Sequence, residues 1–177
     1  ASAHTNELGM RAMQQKAYSE RNAQYILLKA PPASGKSRAL MFLALDKLRN
    51  QGIKKVIVAV PERSIGGSFA RTDLKKDGFY YNWEPNDEYN LCTPGLDGSK
   101  SKVTAFKNFM SKSEEILICT HATLRFACEE IEERAFDPIL LAVDEFHHVS
   151  ADVDSKLGEL LRSIMQKSNA HIVAMTG

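Results

Sequence analysis

Five short apolar runs punctuate the chain: "YILLKA" (25–30), "KVIVAV" (55–60), "EILICT" (115–120), "ILLAVD" (139–144) and "HIVAMT" (171–176). They are nearly continuous in Val, Ile, Leu and Ala instead of alternating with polar residues, which predicts strands buried on both faces of a parallel sheet. Amphipathic segments near 35–51, 101–113, 121–134 and 153–168 separate them and predict helices. Another helical pattern, "ELGMRAMQQKAYSERN", precedes the first run. The repeated order strand, helix, strand predicts an α/β fold, a mostly parallel sheet with right-handed crossovers and helices on both faces.

One region departs from this rhythm. Between about 66 and 100 the chain carries its only tryptophan, two prolines and several Gly, Asn and Asp turn signals. It reads as an insertion into the sheet order, with short strands predicted at "FYYNW" (79–83) and "YNLC" (89–92). The aromatic group Phe79, Tyr80, Tyr81 and Trp83 fits either a small satellite core or a surface for stacking on bases.

Bulk composition narrows the function classes without choosing one. At 177 residues and 44% hydrophobic the chain is sized for one domain with a sizeable core. Its formal charge of +1 excludes an overall electrostatic drive toward nucleic acid or membrane, so any phosphate attraction must be local. The three cysteines, Cys92, Cys119 and Cys128, show no CxxC spacing, which suits reduced thiols in a cytoplasmic protein better than a disulfide framework or a zinc site. No apolar stretch reaches the ~20 residues that span a bilayer, and the polar start lacks the core of a secretory signal.

Chemistry enters at two strand ends. In "YILLKAPPASGKSRAL" (25–40) a buried strand runs through two prolines into Gly35-Lys36-Ser37 at the head of a helix. Backbone N–H groups converge there with the positive end of the helix dipole, and a lysine adds a mobile cation, so the stretch suits phosphate. In "ILLAVDEFHHV" (139–149) Asp144 and Glu145 stand at the end of another buried strand, where an idle carboxylate would be costly. One carboxylate to hold Mg²⁺ and one to polarise water is the minimum acidic equipment for nucleotide hydrolysis.

Together these residues resemble superfamily-two helicases and translocases of the DEAD/DEAH (D-E-x-H) type. Ala30, Gly35, Lys36 and Ser37 match the family's A-x-x-G-x-G-K-[ST] loop, with Ala33 where a glycine is usual, and Asp144, Glu145 and His147 match its D-E-x-H box. "VAVPERS" (58–64), "CTHATL" (119–124) and "AMTG" (174–177) resemble further motifs in family order. The helicase subunits of type III restriction enzymes look nearest, because Arg11 and Gln14 stand as their R-x-x-Q does.

The resemblance implies a RecA-like P-loop NTPase lobe that takes ATP and Mg²⁺ and works on DNA, with RNA possible. Ala33, Ser34, Gly35, Lys36 and Ser37 would cradle phosphates, Ser37 and Asp144 would hold the metal, and Glu145 would activate water. His147 would link phosphate state to nucleic-acid grip, and Thr176 would belong to the coupling motif. Pro61, Arg63, Thr120 and His121 would touch or support the nucleic-acid backbone, although Arg63 also fits a surface charge and Thr120 a helix cap. Gln14 would read the adenine edge, since an amide donates and accepts at once; it also fits a solvated helix residue, as does Gln15. His148 and His171 carry no assigned role.

Family enzymes have two lobes with ATP between them, so residues 1–177 read as a first lobe whose second lobe lies elsewhere, within a longer chain or a larger complex. Two other classes compete. A small P-loop kinase would suit "PPASGKS" but lacks a basic lid between 66 and 134, and a non-hydrolysing nucleotide-dependent module would have no use for Glu145.

Overall fold

In the computed structural model, residues 5–31, 34–94, 99–150 and 155–177 are described, leaving aside the side chains at 63–65 and 150. The predicted strands form at Tyr25–Lys29 (β1), Lys55–Val60 (β2), Ile116–Thr120 (β3), Ile139–Val143 (β4) and His171–Thr176 (β5). Helices occupy Ala12–Ser19 (α1), Lys36–Asn50 (α2), Lys100–Ser111 (α3), His121–Glu130 (α4), His147–Ser150 (α5) and Lys156–Lys167 (α6). Side-chain caps explain several of these starts: Ser99, Thr120 and Ser155 each accept a bond from a backbone N–H in the first turn of α3, α4 and α6.

All four strand pairings are parallel and give the order β1-β5-β4-β2-β3. Every residue of β2, β3 and β4 is buried, as strands covered on both faces require. One face packs on α1 and α2 through Leu40, Phe42, Leu43, Val56, Val58 and Ile118. The other packs on α3, α4 and α6 through Phe106, Leu117, Leu124, Leu141 and Leu161. The α/β expectation therefore holds, with helices on both faces.

The first strand differs from its prediction. Strand β1 is the sheet edge, and Tyr25 and Leu27 on one of its faces stay 44% and 64% exposed, across an open cleft from Leu161, Arg162 and Met165 of α6. A run of apolar residues cannot by itself tell an edge strand from a central one.

The 66–100 region also differs. Neither "FYYNW" nor "YNLC" forms a strand; only isolated bridges join Thr72 to Trp83 and Asn90 to Ile118, between short 3-10 turns. Its aromatic residues do not make a separate core. Phe69, Phe79 and Trp83 enter the same apolar cluster as α2, with Phe79 edge-on to Phe42 at 4.7 Å and Trp83 Nε1 donating to the Phe69 carbonyl at 2.8 Å. Trp83 is fully buried, so it offers no face for stacking on a base. Helix α4 also stops earlier than predicted, and 133–136 turn separately as a 3-10 segment. No helix among the described residues is long and apolar enough to cross a membrane, and none of the three cysteines is in a disulfide.

Candidate functional site

Because the strands are parallel, their carboxyl ends all open on one edge of the sheet, where ligands bind in such folds. Strand β1 leaves its last bond at Ala30, whose N–H donates to Thr176 O at 3.2 Å. Gly35 has φ 90, a left-handed conformation that a side chain would oppose, and it is the N-cap of α2. Lys36 therefore opens the helix at its positive pole. Ala33 lies outside the described residues. Ser34 Oγ is buried with no hydrogen-bond partner, the single such side-chain atom among the described residues. A buried hydroxyl left unpaired is costly and calls for a ligand oxygen.

Strand β4 delivers the carboxylates. Asp144 is 8% exposed and its N–H donates to Ala59 O of β2 at 2.8 Å, which continues the sheet by one residue. Glu145 adopts φ 50, the one non-glycine residue with positive φ among the described residues, and its N–H donates to Asp144 Oδ1 at 3.0 Å. Lys36 Nζ lies 3.2 Å from Glu145 Oε1 and 3.9 Å from Asp144 Oδ1. Burial pushes the Asp144 carboxyl above its ordinary range, and the nearby Lys36 cation opposes that shift. Two carboxylates around one ammonium leave a net negative charge, a donor set that suits a divalent cation.

His147 Nε2 sits 3.2 Å from Glu145 Oε2 on an exposed side chain, and its ring lies 4.3 Å from that of His148. Ligand atoms of Glu145, His147 and His148 all fall within 4.8 Å of one another. Phe146 N–H donates to Met175 O at 2.8 Å, so the D-E-x-H turn is tied to β5 one residue before half-buried Thr176.

Gln14 is buried, not solvated, whereas Gln15 is exposed. Its Oε1 accepts from Arg11 N–H at 2.8 Å and its Nε2 donates to Gly35 O at 3.1 Å, so helix α1 is pinned to the phosphate-loop backbone. Sequence reasoning placed Gln14 near the base but gave no hint of this bond.

The remaining predicted residues lie at the ends of β2 and β3. Pro61 is half-buried, and Arg63 begins a 3-10 turn with its side chain outside the description. Thr120 is 1% exposed and its hydroxyl accepts from Thr123 N–H at 3.3 Å, so it caps α4 and faces the interior. His121 is turned inward too: its Nε2 lies 2.8 Å from Asp144 O, and burial holds its pKa below the ordinary imidazole value. The structure thus gathers Gln14, Ser34, Gly35, Lys36, Asp144, Glu145 and His147 in one place, with His121 reaching into it from the far side of β2.

Comparison with known proteins finds similarity to helicases across almost the whole chain. The sequence profile described as DEAD/DEAH box helicase matches residues 11–177. The Bacillus subtilis (strain 168) protein YeeB, named for ATP-dependent helicase activity, is 65% identical over 173 residues; the match covers 98% of this chain but 28% of that protein. In fold, the Hef helicase domain of Pyrococcus furiosus aligns with a TM-score of 0.61 at 16% identity over 92% of this chain and 31% of that one. The UvsW helicase of bacteriophage T4 aligns with a TM-score of 0.56 at 18% identity over 94% of this chain and 52% of that one.

Proposed function

We propose a function from the premise that the chain belongs to the DEAD/DEAH box helicase family: residues 1–177 are the ATP-binding lobe of a cytoplasmic, DNA-directed helicase or translocase. The 66–100 stretch is then an insertion within that lobe, and a second lobe completes the nucleotide site. The observation that carries this reading is Lys36 Nζ held between Glu145 and Asp144, beside the unpaired hydroxyl of Ser34.

The residues divide the work of hydrolysis as follows. The N–H groups at the start of α2 and Ser34 Oγ–H donate to phosphate oxygens of ATP. Lys36 moves its ammonium from Glu145 to the terminal phosphate, a charge-assisted contact that replaces the ion pair. Glu145, released, accepts a proton from the attacking water as the new P–O bond forms and the bond to the bridging oxygen breaks. Ser37 and Asp144 would hold Mg²⁺, which neutralises phosphate charge when bound. His147, bonded to Glu145, orients that carboxylate and carries its state toward Thr176. Gln14 sets the loop through Gly35 O, and because a side-chain amide carries two N–H donors and two acceptor lone pairs, the same group can keep that bond while it meets the adenine edge. Pro61, Arg63 and the first turn of α4 form the DNA face, with Thr120 supporting it from inside.

Thermal melting with Mg-ATP tests this. Ligand at a hundred times its dissociation constant should stabilise the fold by about 2.7 kcal/mol. Lys36→Ala should abolish that stabilisation; equal shifts in variant and wild type would refute the assignment. Stimulation of hydrolysis by single-stranded DNA over RNA, measured with the second lobe present, tests the substrate.

A further inference from the structure

The D-E-x-H carboxylates are carried by a backbone turn, and one side chain from outside that turn holds it. The sheet order near the site is β4-β2-β3, so His121, which opens α4 at the end of β3, reaches across the end of β2 to the last residue of the β4 extension. A carbonyl oxygen only accepts, so the 2.8 Å contact between His121 Nε2 and Asp144 O fixes the tautomer with hydrogen on Nε2. The peptide unit between Asp144 and Glu145 is therefore held at both ends: its C=O by His121, its N–H by Asp144 Oδ1 at 3.0 Å. The next residue, Glu145, has φ 50, a conformation that persists only when its surroundings impose it. This turn is what aims the Glu145 carboxylate at Lys36.

We propose that His121 is a positioning residue for hydrolysis: its Nε2–H holds the Asp144 carbonyl and so keeps the Asp144-Glu145 peptide in the orientation that presents Glu145 to the reacting water. The assignment rests on the functional reading above and changes the part His121 was expected to play. With its ring turned into the site and its Nε2 committed to a backbone carbonyl, His121 acts on the carboxylates and not as a cation on a nucleic-acid phosphate.

The test compares His121→Ala, His121→Gln and His121→Asn in the two-lobe protein, with ATP hydrolysis measured at saturating single-stranded DNA. A Gln amide places its Nε2 the same number of bonds from Cβ as the imidazole does, whereas an Asn amide falls one bond short. Misplacing a catalytic group by about 1 Å costs up to about 10²-fold. His121→Ala and His121→Asn should therefore lower kcat about ten- to hundredfold, with KM for ATP and DNA affinity changed by no more than about twofold. His121→Gln should recover most of the turnover. Turnover near wild type in His121→Ala would overturn the proposal, as would a loss of DNA affinity at unchanged kcat. If His121→Ala fails to fold, the Gln and Asn variants decide, and equal turnover in those two would overturn it. A wild-type protein that hydrolyses no ATP would overturn the functional reading and this inference with it, whereas an active wild type with indifferent His121 variants would sink the inference alone.

Discussion

Helix α2 carries two sheltered lysines, and they lead different lives. Lys36 at its first position has a side chain 13% exposed and faces two carboxylates, Glu145 at 3.2 Å and Asp144 at 3.9 Å. Lys47, near the other end, is fully buried and faces neutral acceptors: Ala23 O at 2.9 Å, His171 Nδ1 at 2.6 Å and Gln51 Oε1 at 3.4 Å. Burial lowers the Lys47 pKa to about 8, with Asp46 opposing. Its partners are fixed by the fold and cannot be traded for anything that arrives from solvent. The partners of Lys36 are anions, which a bound phosphate can replace. A buried cation is thus no sign of chemistry by itself; what matters is whether its partners are exchangeable.

Substitutions at both ends of the helix put that contrast to work. The largest effect is expected from Glu145→Gln, which keeps shape but cannot take a proton: hydrolysis in the two-lobe protein should fall about 10²- to 10⁴-fold while the Mg-ATP thermal shift survives. Lys36→Ala should cost about 10²- to 10³-fold in turnover and remove the nucleotide-induced shift, with the melting temperature of the ligand-free protein nearly unchanged. Lys47→Met should do the reverse. It leaves a half-buried carbonyl and imidazole without their donor, so urea unfolding should show a loss of about 1–3 kcal/mol, with the Mg-ATP shift retained. A nucleotide defect in Lys47→Met with normal stability would erase the distinction between the two lysines.

The smallest effect is one of pH. Burial first, and then the charge of Lys47, hold the His171 pKa below the ordinary imidazole value of about 6.5. The unfolded chain therefore takes up a proton before the folded one as pH falls through that value, and stability should decline on acidification from about pH 7. Burial lowers His121 in the same direction. Urea midpoints at descending pH should show a shallower decline in His171→Gln than in wild type.

Those contrasts also mark what the sequence could carry. Strands β2 to β5 announce themselves because covered strands must be apolar, β1 carries the same apolar run although it is an edge, and the phosphate loop and the D-E-x-H box are legible because each is contiguous and follows an apolar strand. Tertiary closure is not written locally. Nothing in "HIVAMT" says that His171 meets a lysine from α2, nothing in "CTHATL" says that His121 turns inward to Asp144, and nothing in "YILLKA" says that Leu27 sits on an uncovered edge. The turn-rich stretch after 66 misled for a related reason: aromatic residues among Gly and Asn predict short strands, whereas here they plug the face of α2 from irregular backbone.

The bond between Gln14 and the phosphate loop constrains how this sequence could drift. A Cβ at position 35 would both run into Gln14 Nε2 and have to accept φ +90, so even alanine there would displace the side chain that holds the loop. Positions 14 and 35 are therefore an epistatic pair, for which the effect of changing either depends on the other. Shortening Gln14 to make room would leave the Gly35 carbonyl with its helical bond from Ala39 N–H alone and untie helix α1 from the loop, and keeping Gln14 forbids any side chain opposite it. A lineage carrying this lobe could leave the arrangement only by altering helix α1 and the loop together, which makes substitutions at this pair a more telling marker of changed nucleotide handling than substitutions at either position alone.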